Sequence, residues 1–201
     1  MTPEALAVIR EAVCAIGWIG IPLREFYAAD PRRASFEIEG TGFLIGAQRI
    51  VTCAHVVGAL LAMRRKRGGR PFATGVQFVF RRTADADVST VFRPFSVLHV
   101  DERIDIAVLG LDGEGAGLPS PVQIVGPDGV PAVGQAVGLC GYAHGSVLLK
   151  RGKEIYRFGP VVQMGTVAAL SPFDLARSDA VILDLVTGPA ASGSPVFSFR
   201  T

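Results

Sequence analysis

The chain has 201 residues, with 20 Lys and Arg against 18 Asp and Glu, a formal net charge of +2. So close a balance excludes a binder driven by nucleic-acid or anionic-membrane electrostatics. At 49% apolar residues it reads as a packed globular chain rather than a disordered one.

Gly (24) and Pro (13) exceed average usage and follow no period, which excludes collagen and implies short elements joined by tight turns. The long uncharged run Val130 to Leu149 contains Pro131, Gln135 and His144. A membrane-spanning helix needs about 20 mostly apolar residues, so none is expected. Glu4 and Glu11 stand where a secretory leader carries a basic start and an apolar core, so the expected location is cytoplasmic. Cys14, Cys53 and Cys140 are odd in number and lack CxxC spacing, which argues against a disulfide framework and against zinc. No cofactor is expected: Gly113-Glu114-Gly115-Ala116-Gly117 lacks the Lys-Ser/Thr ending of a phosphate loop.

In chain order, Thr2-Pro3-Glu4 predicts a helix start, with a hydroxyl cap, Pro at the first position and an acid at the positive dipole end. The helix should run over residues 3–12. Runs rich in Val, Ile and Phe follow at 13–21, 35–38, 41–45, 50–52, 76–81, 95–100, 106–109, 136–142, 161–170, 180–186 and 196–199. Short strands at such spacing predict an all-β sandwich or barrel. Val56 to Arg67 is the other helical candidate. It ends in Arg64-Arg65-Lys66-Arg67, read as a solvated face, and is stopped by Gly68-Gly69. Gly110 to Pro121 reads as a linker.

Three segments could carry chemistry. His55 follows a Gly-flanked hairpin and sits just past a strand end, where a side chain is held rigidly yet open to a cleft. Asp105 precedes the apolar run Ile106-Ala107-Val108-Leu109, a place where a carboxylate needs a hydrogen-bond partner. An imidazole N–H is one such partner; backbone amides are the other. Ser192 lies in the small-residue turn Ala190-Ala191-Ser192-Gly193-Ser194-Pro195, where a hydroxyl and backbone N–H groups can share one space. His99 and His144 have no ligand-spaced partners and read as structural. The order His, Asp, Ser, separated by 50 and 87 residues, is one of those known for a nucleophilic triad.

These segments resemble the trypsin-like (chymotrypsin-fold) serine peptidases, in particular the bacterial HtrA-like branch. Gly40-Thr41-Gly42-Phe43 matches the family's Gly-x-Gly-Phe strand, Thr52-Cys53-Ala54-His55 its Thr-x-x-His motif, and Asp105 to Leu109 its Asp-led strand. The nucleophile turn is matched in part by residues 190–195. The resemblance implies two Greek-key antiparallel β-barrels. The layout would be an N-terminal helix over 1–12, a first barrel over 13–112, a linker over 113–120 and a second barrel over 121–201.

It further implies Ser192 as nucleophile, His55 as general base then acid, Asp105 as orienting carboxylate, and the N–H groups of Ala190 and Ser192 as the oxyanion hole. The substrate would be a protein or peptide. Two departures stand out. Ala190 replaces a glycine, so the hole should form less well or only on activation by a protein partner or appended domain. The sequence ends nine residues after Ser192, so the second barrel is expected to be incomplete, with an open edge. Apolar Val186 argues against a basic side chain ahead of the scissile bond. The alternative is a catalytically silent protease-like scaffold that binds peptides or proteins. An esterase-type elbow is absent, because Ala190 and Ser194 flank Ser192 where glycines are needed.

Overall fold

The computed structural model describes residues 2–28, 36–81, 88–113, 117–126, 129–143, 148–151, 154–157, 159–171 and 180–199. The chain opens with α1 (Pro3–Ala12), capped as the sequence implies: the Thr2 hydroxyl accepts from the Ala5 N–H at 3.3 Å. Strand β1 (Val13–Ile19) follows without a loop, then α2 (Leu23–Ala28), β2 (Glu37–Gly46), β3 (Arg49–Thr52), α3 (Ala54–Lys66), β4 (Ala73–Arg81), β5 (Val88–Asp101) and β6 (Ile106–Leu111).

These six strands close into an antiparallel barrel in the order β1-β2-β3-β6-β5-β4. The remaining strands are β7 (Ala136–Gly141), β8 (Leu148–Arg151), β9 (Glu154–Arg157), β10 (Val161–Ser171), β11 (Ala180–Asp184) and β12 (Val196–Ser198). Of these, β11-β10-β7-β12 form a second sheet and β8-β9 a separate hairpin. The all-β, two-unit architecture is as expected: one barrel is closed and the second sheet is partial among the described residues. No helix is long and apolar enough to cross a membrane among the described residues.

Strand β1 explains why the two units adhere. Alternate side chains of a strand face opposite sides. Cys14 and Ile16 point into the barrel with Leu44, Ile50, Val76, Phe78 and Leu109. Val13, Ala15 and Ile19 pack on the other side with Phe26, Phe36, Phe92, Cys140 and Tyr142. Both faces of β1 are buried, and the sequence there is accordingly apolar throughout rather than alternating.

Local signals misplace some boundaries. The runs at 35–38 and 41–45, read as two strands, meet in the single strand β2, which begins at Glu37; residue 35 lies outside the described residues. Gly40 and Gly42 act there not as breakers but as points of close approach. A Cβ on Gly40 would lie 2.6 Å from Val56, and one on Gly42 2.7 Å from Ile16 and Ile50. Helix α2 carries no cap signal in the sequence. Its Phe26 is buried against Phe92 (ring centroids 4.8 Å apart) beside Phe36, so tertiary packing makes it.

Hairpin β8–β9 was likewise not legible as strands. Leu118, in the segment read as a linker, and Val122, just beyond it, pack on the first core, and the Val122 N–H donates to the Leu44 carbonyl at 2.9 Å. Arg64, Arg65 and Lys66 are exposed, whereas Arg67 stacks over Trp18 at 4.9 Å and ties down the end of α3. His144 lies outside the described residues.

Candidate active site at the junction of the two sheets

The register of the first barrel brings two distant segments together. Strands β3 and β6 run antiparallel, with Thr52 opposite Ala107. The residues leaving β3, Cys53 to His55, therefore meet the residues entering β6, Ile104 and Asp105. Cys53 is the extended N-cap residue of α3, and His55 sits in the first helical turn. Asp105 adopts a left-handed φ of 56°. Few L-residues tolerate that region, and Asp is among them.

Four groups of this corner lock together. His55 Nδ1 lies 2.7 Å from Asp105 Oδ2, and the His55 backbone N–H donates to Asp105 Oδ1 at 2.9 Å. The Ala54 N–H donates to the Asp105 carbonyl at 3.1 Å. Opposite a carboxylate, Nδ1 is the protonated nitrogen, which leaves the Nε2 lone pair free. The His55 backbone N–H above all, then the imidazole, holds the Asp105 carboxyl below the usual carboxylate range, despite some desolvation. The side chains of His55 and Asp105 are 58% and 47% exposed, so the pair is open to a ligand rather than sealed in the core.

Ser192 comes from the other unit, in the turn that leads into β12. That turn is fastened to the first barrel. The Thr41 N–H donates to the Ser192 carbonyl, and the Thr41 hydroxyl to the Ala190 carbonyl, both at 2.8 Å. The same fully buried hydroxyl accepts from the Tyr142 N–H at 2.9 Å, while Thr52 Oγ1 donates to the Thr41 carbonyl at 2.7 Å. Gly193, at φ 85°, presses into this knot. A Cβ there would lie 2.1 Å from the Thr41 carbonyl oxygen and 3.2 Å from the Cys53 nitrogen. The turn thus sits against the residues that lead directly to His55. Ser192 Oγ itself makes no hydrogen bond among the described residues.

Ala190 occupies a particular place. Gly188 to Ala191 forms a β-turn closed by the Ala191 N–H donating to the Gly188 carbonyl at 3.2 Å, with Pro189 second and Ala190 third at φ 66°. Pro followed by a positive φ is the type II pattern, which normally takes Gly or Asn at its third residue. Ala accepts that conformation at a cost of about 1–2 kcal/mol. The N–H groups of Ala190 and Ser192 have no acceptor among the described residues, while the Ala190 carbonyl is turned away onto Thr41.

Thr41, Thr52 and Cys53 were legible only as parts of motifs. A hydroxyl in an otherwise apolar barrel strand is the signal that could have marked the two threonines, since a buried one must be bonded. Cys53 is half-buried, its thiol directed at the Asp105 carboxylate and near the Gly193 N–H; burial first, then the Asp105 charge, push it up. Cys14 and Cys140 are buried, and desolvation raises Cys140 to about 12. His99 is exposed on β5, opposite Val108 of β6.

Comparison with known proteins agrees with this fold. Residues 40–201 match the family model described as the trypsin-like peptidase domain. A search of curated proteins finds no match. Among solved structures, Deg5 superposes with a TM-score of 0.61 at 20% identity, over 98% of this chain and 82% of that one. The HtrA-type protease AlgW, solved with a decapeptide, superposes with a TM-score of 0.57 at 18% identity, over 98% of this chain and 56% of AlgW. Identities that low speak to the fold alone, but the family model spans most of the chain, so this polypeptide belongs to the trypsin-like peptidase domain family.

Proposed function

We propose that the domain is a serine endopeptidase that cleaves protein or peptide substrates through an acyl-enzyme, with Ser192, His55 and Asp105 as its triad. His55 Nε2 takes the Ser192 proton as Oγ attacks the scissile carbonyl, then delivers it to the leaving amine. Asp105 keeps the proton on Nδ1 and stabilises the imidazolium that forms. The N–H groups of Ala190 and Ser192 receive the developing oxyanion. The Ser192–His55 hydrogen bond of the triad would form with substrate, since such bonds commonly tighten only in the substrate complex.

The observation that carries this reading is the 2.7 Å contact between His55 Nδ1 and Asp105 Oδ2, two residues 50 apart in sequence. An active-site-directed fluorophosphonate tests it. The probe should label Ser192, and labelling should vanish in Ser192→Ala and His55→Ala. Retained labelling in Ser192→Ala removes Ser192 as the nucleophile. Complete inertness of folded protein towards the probe favours the silent scaffold instead.

The turn bearing Ala190 is the proposed point of control. A type II turn differs from type I by a flip of its central peptide, here the one that carries the Ala190 N–H. Alanine prefers the flipped form. A protein partner or appended domain that holds the turn would therefore raise the rate. Val186, 82% exposed on the approach to the turn, suits an apolar residue ahead of the scissile bond. Three free cysteines suit a reducing compartment such as the cytoplasm.

A further inference from the structure

The same corner holds a second constellation. Cys53, His55 and Asp105 each offer one ligand atom, and those three atoms lie within 4.8 Å of one another. Tetrahedral zinc binds sulfur at about 2.3 Å and nitrogen or carboxylate oxygen at about 2.0–2.2 Å, which sets neighbouring ligand atoms roughly 3.3–3.6 Å apart. The observed spacing needs an adjustment of about an ångström or less per side chain. The backbone around them is already fixed. Cys53 caps α3, His55 lies in its first turn, and Asp105 is bound to the backbone of both Ala54 and His55. Asp105 Oδ1 is held by the backbone His55 N–H, so Oδ2, which bonds the His55 Nδ1 proton, is the oxygen that turns to a cation when the ion replaces that proton.

We propose that this triplet is an inhibitory site for a borderline-soft divalent cation, Zn2+ foremost. The proposal rests on the peptidase reading only for its consequence, not for the binding itself. A thiolate, an imidazole and a carboxylate select zinc over magnesium or calcium, which prefer all-oxygen shells. Two anionic ligands neutralise the ion, and its fourth position is open to water or a substrate carbonyl. The thiol proton goes to solvent as the sulfur–metal bond forms. The metal takes the place of the Nδ1 proton, which moves to Nε2. An imidazole protonated at Nε2 has no lone pair for the Ser192 hydroxyl, so the bound ion removes the general base by fixing the wrong tautomer. Spacing rules missed this site because its ligands come from two segments 50 residues apart rather than from a CxxC or similar run.

Cobalt(II) titration of the tag-free chain in a non-thiol reductant tests it. One equivalent should give tetrahedral visible bands and a thiolate-to-cobalt charge-transfer band, both abolished by zinc chloride. Cys14 and Cys140 are buried, so that band reports Cys53. Zinc affinity by calorimetry should be on the order of 1 μM. Cys53→Ala and Cys53→Ser should lose the charge-transfer band and weaken zinc roughly 100-fold, with the sensitivity of hydrolysis to zinc falling in step. Ser192→Ala should bind cobalt and zinc as the parent does. Absence of the charge-transfer band in the parent chain overturns the proposal. So does zinc affinity, or zinc inhibition, that is the same in Cys53→Ala as in the parent. A cobalt signature in a chain that never labels with fluorophosphonate defeats the triad reading alone, and labelling without a cobalt signature defeats the cation site alone.

Discussion

The two halves of the site are held by different means. His55 and Asp105 belong to a closed six-stranded barrel, where every strand has two neighbours and the β3–β6 register alone dictates their meeting. Ser192 lies in the turn before β12, a three-residue strand that among the described residues pairs only with β7 at the end of a four-stranded sheet. That sheet also leaves Met164, Ile182 and Val196 exposed. The Ser192 turn is positioned chiefly by its grip on the other unit, through Thr41, Thr52 and Gly193. The first unit therefore supplies the proposed base and carboxylate and the seat, and the second supplies a loop that fits the seat.

The largest effects should come from the reacting groups. Ser192→Ala should lower turnover by roughly four to six orders of magnitude with an unchanged melting temperature. Asp105→Asn should lower it about 10^4-fold while the barrel stays folded, because asparagine stabilises the other tautomer. Steady-state kinetics beside a thermal melt check both. Near-normal kinetics in Asp105→Asn would mean that another carboxylate orients the base.

The seat itself is tested next. Thr41→Val leaves the Ala190 carbonyl and the Tyr142 N–H unpaired. It should cost about 2–4 kcal/mol of stability and up to about 10^2–10^3-fold in rate, the latter through a misplaced oxyanion donor. Thr41→Ser should restore both. If Thr41→Val melted and turned over normally, the second sheet would be holding its own loop. Gly193→Ala combines a positive φ with a clash on the Thr41 carbonyl, so a loss of about 3 kcal/mol is expected, read as a melting temperature lower by roughly 6–12 °C. The smallest effect is a gain. Ala190→Gly removes about 1 kcal/mol of turn strain and should raise kcat/KM up to about five-fold in the absence of any partner.

The same contrast governs what could be read from the sequence. The first barrel was legible because its strands are short, apolar and punctuated, and because β2, β3 and β6 carry the family's motifs. Asp105 and His55 could be paired only through the His, Asp, Ser order and that resemblance, since no local pattern spans 50 residues. Helix α2 was not legible because Phe26 forms it by packing on side chains far along the chain. The roles of Thr41 and Thr52 were hidden for the same reason: a threonine in a strand looks like any β-former until its hydroxyl is found satisfying a carbonyl from the other unit. At Ala190 the sequence signalled a departure, and the structure supplies its form, a type II turn held with alanine at its third residue.

The left-handed backbone of Asp105 has an evolutionary corollary. Asparagine visits that region as readily as aspartate does, so a single codon change could silence the proposed chemistry and leave the barrel and the Thr41 anchor untouched. Pseudoenzymes should therefore arise from this scaffold by drift at one position, and deamidation of such an asparagine would regenerate the carboxylate without any new translation.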